Sequence, residues 1–168
     1  MEIELCRLKE KEIPILTNLF EFAAYDLSEF NYSNVKRSGL FEPKINVQDL
    51  YHDECYNLYG IKIENQIAGF VIVRYLEEEN VFYLNHFFIL RKYRNQGLGQ
   101  RVAFQIFNMF HGNWRVSQFD WNVPALLFWR KVLDRYTNGN YIETRRKDDK
   151  GPKQEFSNDR LDNTKLEQ

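Results

Sequence analysis

The chain has 168 residues, a formal net charge of -1 and 16% aromatic residues, with 14 Phe and 10 Tyr. This length fits one ordinary domain with a sizeable core. The near-zero net charge excludes a strong global attraction to nucleic acid or membranes, so neither is expected as a partner. The first residues are acidic and no apolar stretch approaches the ~18 residues of a membrane span. A soluble cytoplasmic protein is therefore the default expectation.

Cysteine usage predicts no metal centre. Cys6 and Cys55 lack the spacing of metal ligands, and reduced thiols are expected rather than a disulfide. No metal is expected as a cofactor.

The first half of the chain predicts one strand, two helices and then three strands. Apolar residues alternate with polar ones in the first strand, and they recur every three or four residues in the first helix, with Pro14 in its first turn. The last three strands are expected to run antiparallel because only short turns separate them. The predicted elements are a strand at 3–8, helices at 13–27 and 47–55, a loop at 31–46, and strands at 57–63, 67–75 and 81–90.

The second half predicts two helices that alternate with strands. Leu98, Val102 and Ile106 lie at helical spacing. Asn122 is a favoured residue for a helix N-cap, and Pro124 suits the first turn of the helix that follows. The predicted elements are a helix from about residue 98 to Gly112, a strand at 114–120, a helix after Asn122, and strands at 141–145 and 154–156.

A glycine-containing segment joins the strand at 81–90 to the next helix, and its sequence is Arg94-Asn95-Gln96-Gly97-Leu98-Gly99. Helix starts carry unpaired N–H groups and partial positive charge, and glycine lets phosphate oxygens approach the backbone. The segment therefore predicts a pyrophosphate site. It lacks the Lys of a P-loop and the third glycine of a dinucleotide fingerprint.

This segment resembles the Arg/Gln-x-x-Gly-x-Gly/Ala loop that grips coenzyme A in the GCN5-related N-acetyltransferases. A second stretch, Asn122-x-x-Ala125-x-x-Phe128-Trp129, is similar to a second motif of that family. The resemblance covers about residues 3–157. It implies a mixed α/β fold with a central, mostly antiparallel sheet, flanking helices, and splayed fourth and fifth strands. One domain over residues 1–157 and a flexible polar tail over 158–168 are expected.

The resemblance also implies acetyl-CoA as co-substrate and assigns cofactor contacts. Backbone groups of Phe87, Phe88 and Ile89 are expected to pair with the pantetheine arm, which Asn122 also contacts. Arg94 either adds charge at the pyrophosphate or only stabilises the loop. The residues expected to present N–H groups to the pyrophosphate are Asn95, Gln96, Gly97, Leu98, Gly99 and Gln100.

Two positions depart from the family pattern for acid–base chemistry. Many members carry a Tyr acid where this chain has Trp129, whose indole cannot release its proton at useful pH. Water, Tyr136 or Tyr141 then replaces the acid, or the thiolate leaves unaided. The positions that match a common Glu base on the fourth strand are Tyr83 and Asn85, and neither is a convincing base. His86 has a suitable intrinsic pKa. Asn85 and His86 are taken as the candidate catalytic residues, and a core role for His86 is the alternative.

Three functional hypotheses remain open from the sequence. The first is transfer of an acetyl group to a primary amine on a small molecule or peptide, with Glu21, Asp26 and Glu29 as candidates for attracting a cationic acceptor. The second is a non-catalytic module that binds or senses acyl-CoA on the same fold. The third is an interaction domain that pairs through exposed strands. A homodimer is common among proteins of this fold and is kept as an expectation.

Overall fold

The structure is a computed structural model that describes residues 1–159. It contains four α-helices and seven β-strands, with short 3-10 turns at Glu10–Glu12, Glu77–Glu79 and Arg91–Tyr93. In chain order the elements are β1 Ile3–Arg7, α1 Ile13–Asn31, α2 Val47–His52, β2 Tyr56–Ile63, β3 Gln66–Leu76, β4 Val81–Ile89, α3 Leu98–Met109, β5 Asn113–Ser117, α4 Val123–Thr137, β6 Ile142–Arg145 and β7 Pro152–Ser157.

The strands form one seven-stranded sheet in the order β1-β2-β3-β4-β5-β7-β6. The pairs β1–β2, β2–β3, β5–β7 and β6–β7 are antiparallel, whereas β4 and β5 are parallel. The register of the parallel pair covers Val81–Tyr83 at the start of β4, and β4 then continues to Ile89. This arrangement confirms the predicted mixed α/β fold.

The chain divides into two compact units that share β3 and β4. Met1–Arg74 and Asn85–Leu98 form the first unit, and Tyr75–Leu84 with the described residues from Gly99 to Asp159 form the second. In the described part, no helix is long and apolar enough to cross a membrane. The prediction of a single domain over residues 1–157 stays a prediction.

Each unit has its own aromatic core. In the first unit, Phe20 of α1 packs on Phe70 of β3 with ring centroids 4.6 Å apart. Leu16, Phe20 and Ala23 lie on the packed side of α1, as their spacing predicts. In the second unit, Phe107 of α3 is fully buried and packs against Trp114 of β5 at 4.9 Å.

Several element boundaries differ from the predicted ones. α2 ends at His52 rather than at 55, because the Asp53 carboxylate accepts the N–H of Cys55 and turns the chain. β5 ends at Ser117 rather than 120. β6 begins at Ile142, one residue later than predicted, and β7 is longer than predicted, spanning Pro152–Ser157.

Asn158, the first residue of the expected tail, is anchored in the second unit. Its side chain is 3% exposed, donates to the carbonyls of Phe107 and Phe110, and accepts the N–H of Gly112. The rest of the expected flexible tail, from residue 160, lies outside the described residues.

A close backbone approach at Gly69 gives a stability prediction. A Cβ at Gly69 would lie 1.9 Å from the carbonyl oxygen of Phe88, whereas a Cβ at Gly60 would meet its nearest atom, the carbonyl of Cys6, at 3.9 Å. Gly69→Ala is expected to lower the free energy of unfolding by about 2 kcal/mol or more because the clash is with backbone. Gly60→Ala is the matched control, expected to change it by less than about 1 kcal/mol. Urea unfolding measures both, and equal losses would contradict the prediction.

Candidate functional site

The loop between β4 and α3 is held in an unusual backbone conformation. After the 3-10 turn Arg91–Tyr93, Asn95 and Gly97 both adopt left-handed conformations, with φ of 59° and 74°. Asn and Gly tolerate this region better than other residues do. A Cβ at Gly97 would meet no heavy atom within 4 Å. Packing within the protein therefore does not require a glycine there, and the backbone at Gly97 is open to a ligand.

The two left-handed residues come just before α3, which begins at Leu98. The first N–H groups of any helix have no partner within the helix and lie at the positive end of its dipole. The N–H groups of Leu98, Gly99 and Gln100 belong to this first turn. The local geometry therefore has the donors that the sequence assigns to a pyrophosphate.

Side chains of the loop bond to the protein itself. The Gln96 amide donates to the carbonyl of Lys92 at 2.9 Å. Arg94 donates from Nε to the carbonyl of Ile89 at 2.7 Å and from Nη2 to the Asp26 carboxylate. Of the two roles predicted for Arg94, these contacts favour loop stabilisation. In the second unit, the Gln100 side chain accepts from Arg135 at 2.7 Å.

The end of β4 has buried side chains. Phe88 is 9% exposed and packs on Phe70 at 5.6 Å, Ile89 is 6% exposed, and Phe87 is partly buried. A cofactor that reaches this strand must use its backbone, which is the kind of contact predicted for Phe87, Phe88 and Ile89.

The two candidate catalytic residues contact each other. His86 Nδ1 lies 2.7 Å from Asn85 Oδ1, and the imidazole packs edge-on against Phe20 at 5.1 Å. With the oxygen as acceptor, the proton sits on Nδ1 and Nε2 keeps its lone pair. Burial lowers the pKa of His86 from 6.5 to about 4. His86 is thus a neutral, weakly basic imidazole at pH 7.

Two of the candidate acid positions, Trp129 and Tyr136, are buried in the second unit, whereas Tyr141 is partly buried. Trp129 is 6% exposed and packs on Phe128 at 4.9 Å, the core role expected for an indole at this position. Tyr136 is 1% exposed, its hydroxyl donates to Asn108 at 2.8 Å, and burial raises its pKa. These contacts make Tyr136 a poor replacement for the missing acid.

Asn122 begins α4 in the second unit. Its side-chain oxygen accepts the N–H of Ala125 at 3.3 Å, and Pro124 lies in the first turn. The predicted N-cap is confirmed.

The acidic residues proposed to attract a cationic acceptor are engaged within the first unit. The Glu21 carboxylate accepts the backbone N–H groups of Phe41 and Glu42, both at 2.8 Å. Asp26 bonds to Arg91 and Arg94, and Glu29 lies 3.7 Å from Arg91. Sequence reasoning missed these pairings, which reduce the negative charge that an acceptor would meet. Within the described residues, no group of three or more His, Cys, Asp or Glu side chains is arranged to hold a metal ion.

The chain matches the Acetyltransferase (GNAT) family over residues 21–134. An acetyltransferase from Thermus thermophilus has a similar structure, with a TM-score of 0.70 at 14% identity over 94% of this chain and 98% of that one. An aminoglycoside acetyltransferase in complex with coenzyme A gives 0.64 at 13% over 93% and 95%. A ribosomal L7/L12 alpha-N-protein acetyltransferase, also with coenzyme A, gives 0.63 at 10% over 94% of each chain. No curated protein matches the sequence.

The depressed pKa of His86 predicts a loss of stability in acid. Between pH 6.5 and about 4, the unfolded chain binds a proton at His86 that the folded chain does not. His86 therefore favours folding above pH 6.5, and this contribution is lost as the pH falls towards 4. Between pH 7 and 4.5, wild type is expected to lose about 2 kcal/mol more than His86→Gln. Urea unfolding at both pH values measures this difference, and parallel losses in the two proteins would contradict it.

Proposed function

This chain belongs to the acetyltransferase (GNAT) family, and from that premise we propose that it moves an acetyl group from acetyl-CoA to a primary amine. The single observation that carries the proposal is the backbone at Asn95 and Gly97. Both residues are left-handed, the space beside Gly97 is open, and α3 begins at the next residue. Two structural relatives were solved with coenzyme A, which supports acetyl-CoA as the acetyl donor.

The proposed contacts to acetyl-CoA use mainly backbone atoms. Residues 95–100 offer N–H groups to the pyrophosphate, which suits a doubly charged group with many acceptor oxygens. The backbone of Phe87, Phe88 and Ile89 is proposed to pair with the pantetheine arm, because the register with β5 covers only the start of β4. The proposed contact of Asn122 with pantetheine follows from its motif alone.

The proposed reaction is direct attack of a neutral amine on the thioester carbonyl. A C–N bond forms, the C–S bond breaks, the amine loses one proton and coenzyme A leaves as a thiolate. Holding both reactants in one geometry supplies much of the acceleration. N–H groups of β4 polarise the carbonyl as charge develops on its oxygen. This chemistry uses no metal.

His86 is proposed as the group that accepts the amine proton, and Asn85 is proposed to orient it. Nε2 of His86 carries a lone pair at pH 7, and Asn85 orients the ring through the 2.7 Å bond. A pKa of about 4 makes His86 a weak base. The rate acceleration that His86 supplies is therefore expected to lie at or below the low end of the range for general-base catalysis. The thiolate is proposed to leave unaided or with help from water or Tyr141, because Trp129 and Tyr136 are buried.

A second candidate is a non-catalytic module that binds acyl-CoA. The observation that favours it is Trp129, which occupies the acid position and is 6% exposed. An indole N–H donates a hydrogen bond but supplies no proton to a leaving thiolate. Turnover with an amine separates the two candidates.

The proposed acceptor is a small-molecule amine or a peptide with a free N-terminus. Aminoglycoside and ribosomal-protein acetyltransferases are both among the structural relatives, and both classes of acceptor present an amine. Nucleic acid and membranes are not proposed as partners, in keeping with the net charge of -1. A homodimer and a cytoplasmic location remain proposals.

A substitution at Gly97 tests the cofactor contact. Gly97→Asp is expected to weaken binding of coenzyme A at least about tenfold relative to Gly97→Asn, because the carboxylate repels the pyrophosphate. Asn is the matched control, since it has nearly the same shape and also tolerates the left-handed conformation. Calorimetric titration with coenzyme A and acetyl-CoA measures both variants. Equal affinities in two folded variants would contradict the proposed pyrophosphate contact.

A substitution at His86 tests the proton acceptor. His86→Gln is expected to lower kcat by about tenfold, the small effect of a weak base, with little change in the Kd for acetyl-CoA. Steady-state kinetics against a saturating amine measure kcat. An unchanged kcat would assign His86 to the core alone, and a fall of a thousandfold or more would contradict its assignment as a weak base.

A further inference from the structure

One carboxylate in the first unit binds two arginines at the start of the loop between β4 and α3. Asp26 of α1 accepts from Arg91 Nε at 2.5 Å and from Arg94 Nη2 through its other oxygen. The Asp26 side chain is 14% exposed, and that of Arg94 is 36% exposed. Arg91 and Arg94 stand at the two ends of the turn that follows β4, so Asp26 ties both ends of this turn to α1.

We infer that Asp26 is a positioning residue for the coenzyme A pyrophosphate loop and acts through Arg94. This inference rests on the proposed function, since it concerns the same loop. No motif of the sequence assigns a role in cofactor binding to Asp26.

Arg94 is restrained from three directions. Its Nη2 binds Asp26, its Nε donates to the carbonyl of Ile89 at 2.7 Å, and its guanidinium lies 5.6 Å from the ring of Phe88. Ile89 is the last residue of β4. Arg94 therefore connects α1 to the end of β4 one residue before Asn95 turns into its left-handed conformation. Fixing Arg94 fixes the direction in which the loop leaves the strand.

The pairing also opposes a role for Arg94 as a direct phosphate ligand. Moving the guanidinium to a phosphate would remove one of the two arginine partners of Asp26, whose side chain is largely buried, and breaking a buried pair is destabilising. Arg91 alone would remain on Asp26, and its side chain is 62% exposed. We therefore expect Arg94 to stay on Asp26 while backbone N–H groups bind the pyrophosphate.

The two roles of Arg94 predict opposite effects of Asp26→Asn. If Asp26 positions the loop, the neutral side chain loosens Arg94 and coenzyme A binds less tightly. If Arg94 is instead a direct phosphate ligand that Asp26 restrains, removal of the carboxylate releases its charge and binding becomes tighter. The direction of the change in affinity decides between them.

The experiment is calorimetric titration of coenzyme A into wild type, Asp26→Asn, Arg94→Gln and the double variant. Each single substitution is expected to raise the Kd about tenfold, because a small displacement of a binding loop has effects of this size. The double variant is expected to bind no more weakly than the weaker single variant, since both changes break one connection. Glu29→Gln is the matched control: it is on the same helix, 65% exposed and 3.7 Å from Arg91, and its Kd is expected to be unchanged.

Steady-state kinetics separate positioning from a general loss of structure. The KM for acetyl-CoA is expected to rise with Asp26→Asn while kcat stays within about twofold of wild type. Should Asp26→Asn fail to fold, Arg94→Lys serves instead, because it keeps the charge but loses the fork that serves both Asp26 and Ile89.

Three outcomes would overturn the inference. Coenzyme A binding that is unchanged or tighter in Asp26→Asn, with wild type binding normally, contradicts the positioning role alone. Additive losses in the double variant contradict action through Arg94. Failure of wild type to bind coenzyme A contradicts the proposed function, and the inference with it.

Discussion

The proposed function depends on the backbone between β4 and α3. Asn95 and Gly97 are both left-handed, and they turn the end of a buried strand directly into the first turn of a helix. The first N–H groups of a helix have no partner within the helix and lie at the positive end of its dipole. The missing side chain at Gly97 keeps the approach to this backbone open. A pyrophosphate needs donors, positive potential and space, and this short loop has the local features for each.

Burial limits the candidate acid and base groups of this protein. Burial keeps His86 neutral with a pKa of about 4, and Trp129 is packed in an aromatic core. Tyr136 is committed to Asn108. The proposed enzyme therefore relies on orientation of its reactants and on backbone donors. Such a mechanism depends on precise placement of the loop between β4 and α3. The contact between Asp26 and Arg94 is important because it is inferred to fix that placement.

Short-range sequence patterns predict most of the helices and strands. Apolar spacing locates α1 and α3, Asn122 marks the start of α4, and the glycines after β4 mark the loop. The contacts that decide side-chain roles come from distant parts of the chain. Asp26 and Arg94 are 68 residues apart, and Phe20 reaches His86 from α1. No periodicity or motif encodes such pairs, so the role of Arg94 and the weak basicity of His86 required the folded structure.

Acetyl transfer to an amine is best tested by measuring amine-dependent release of free thiol from acetyl-CoA. The panel should include a polyamine, an aminoglycoside, free amino acids and peptides with a free N-terminus, and mass spectrometry should follow the amine. Acetyl transfer predicts thiol release above the amine-free rate with at least one acceptor, and gain of one acetyl group by that acceptor. Tight binding of acetyl-CoA with no amine-dependent release across the panel would contradict it and leave a non-catalytic acyl-CoA-binding module.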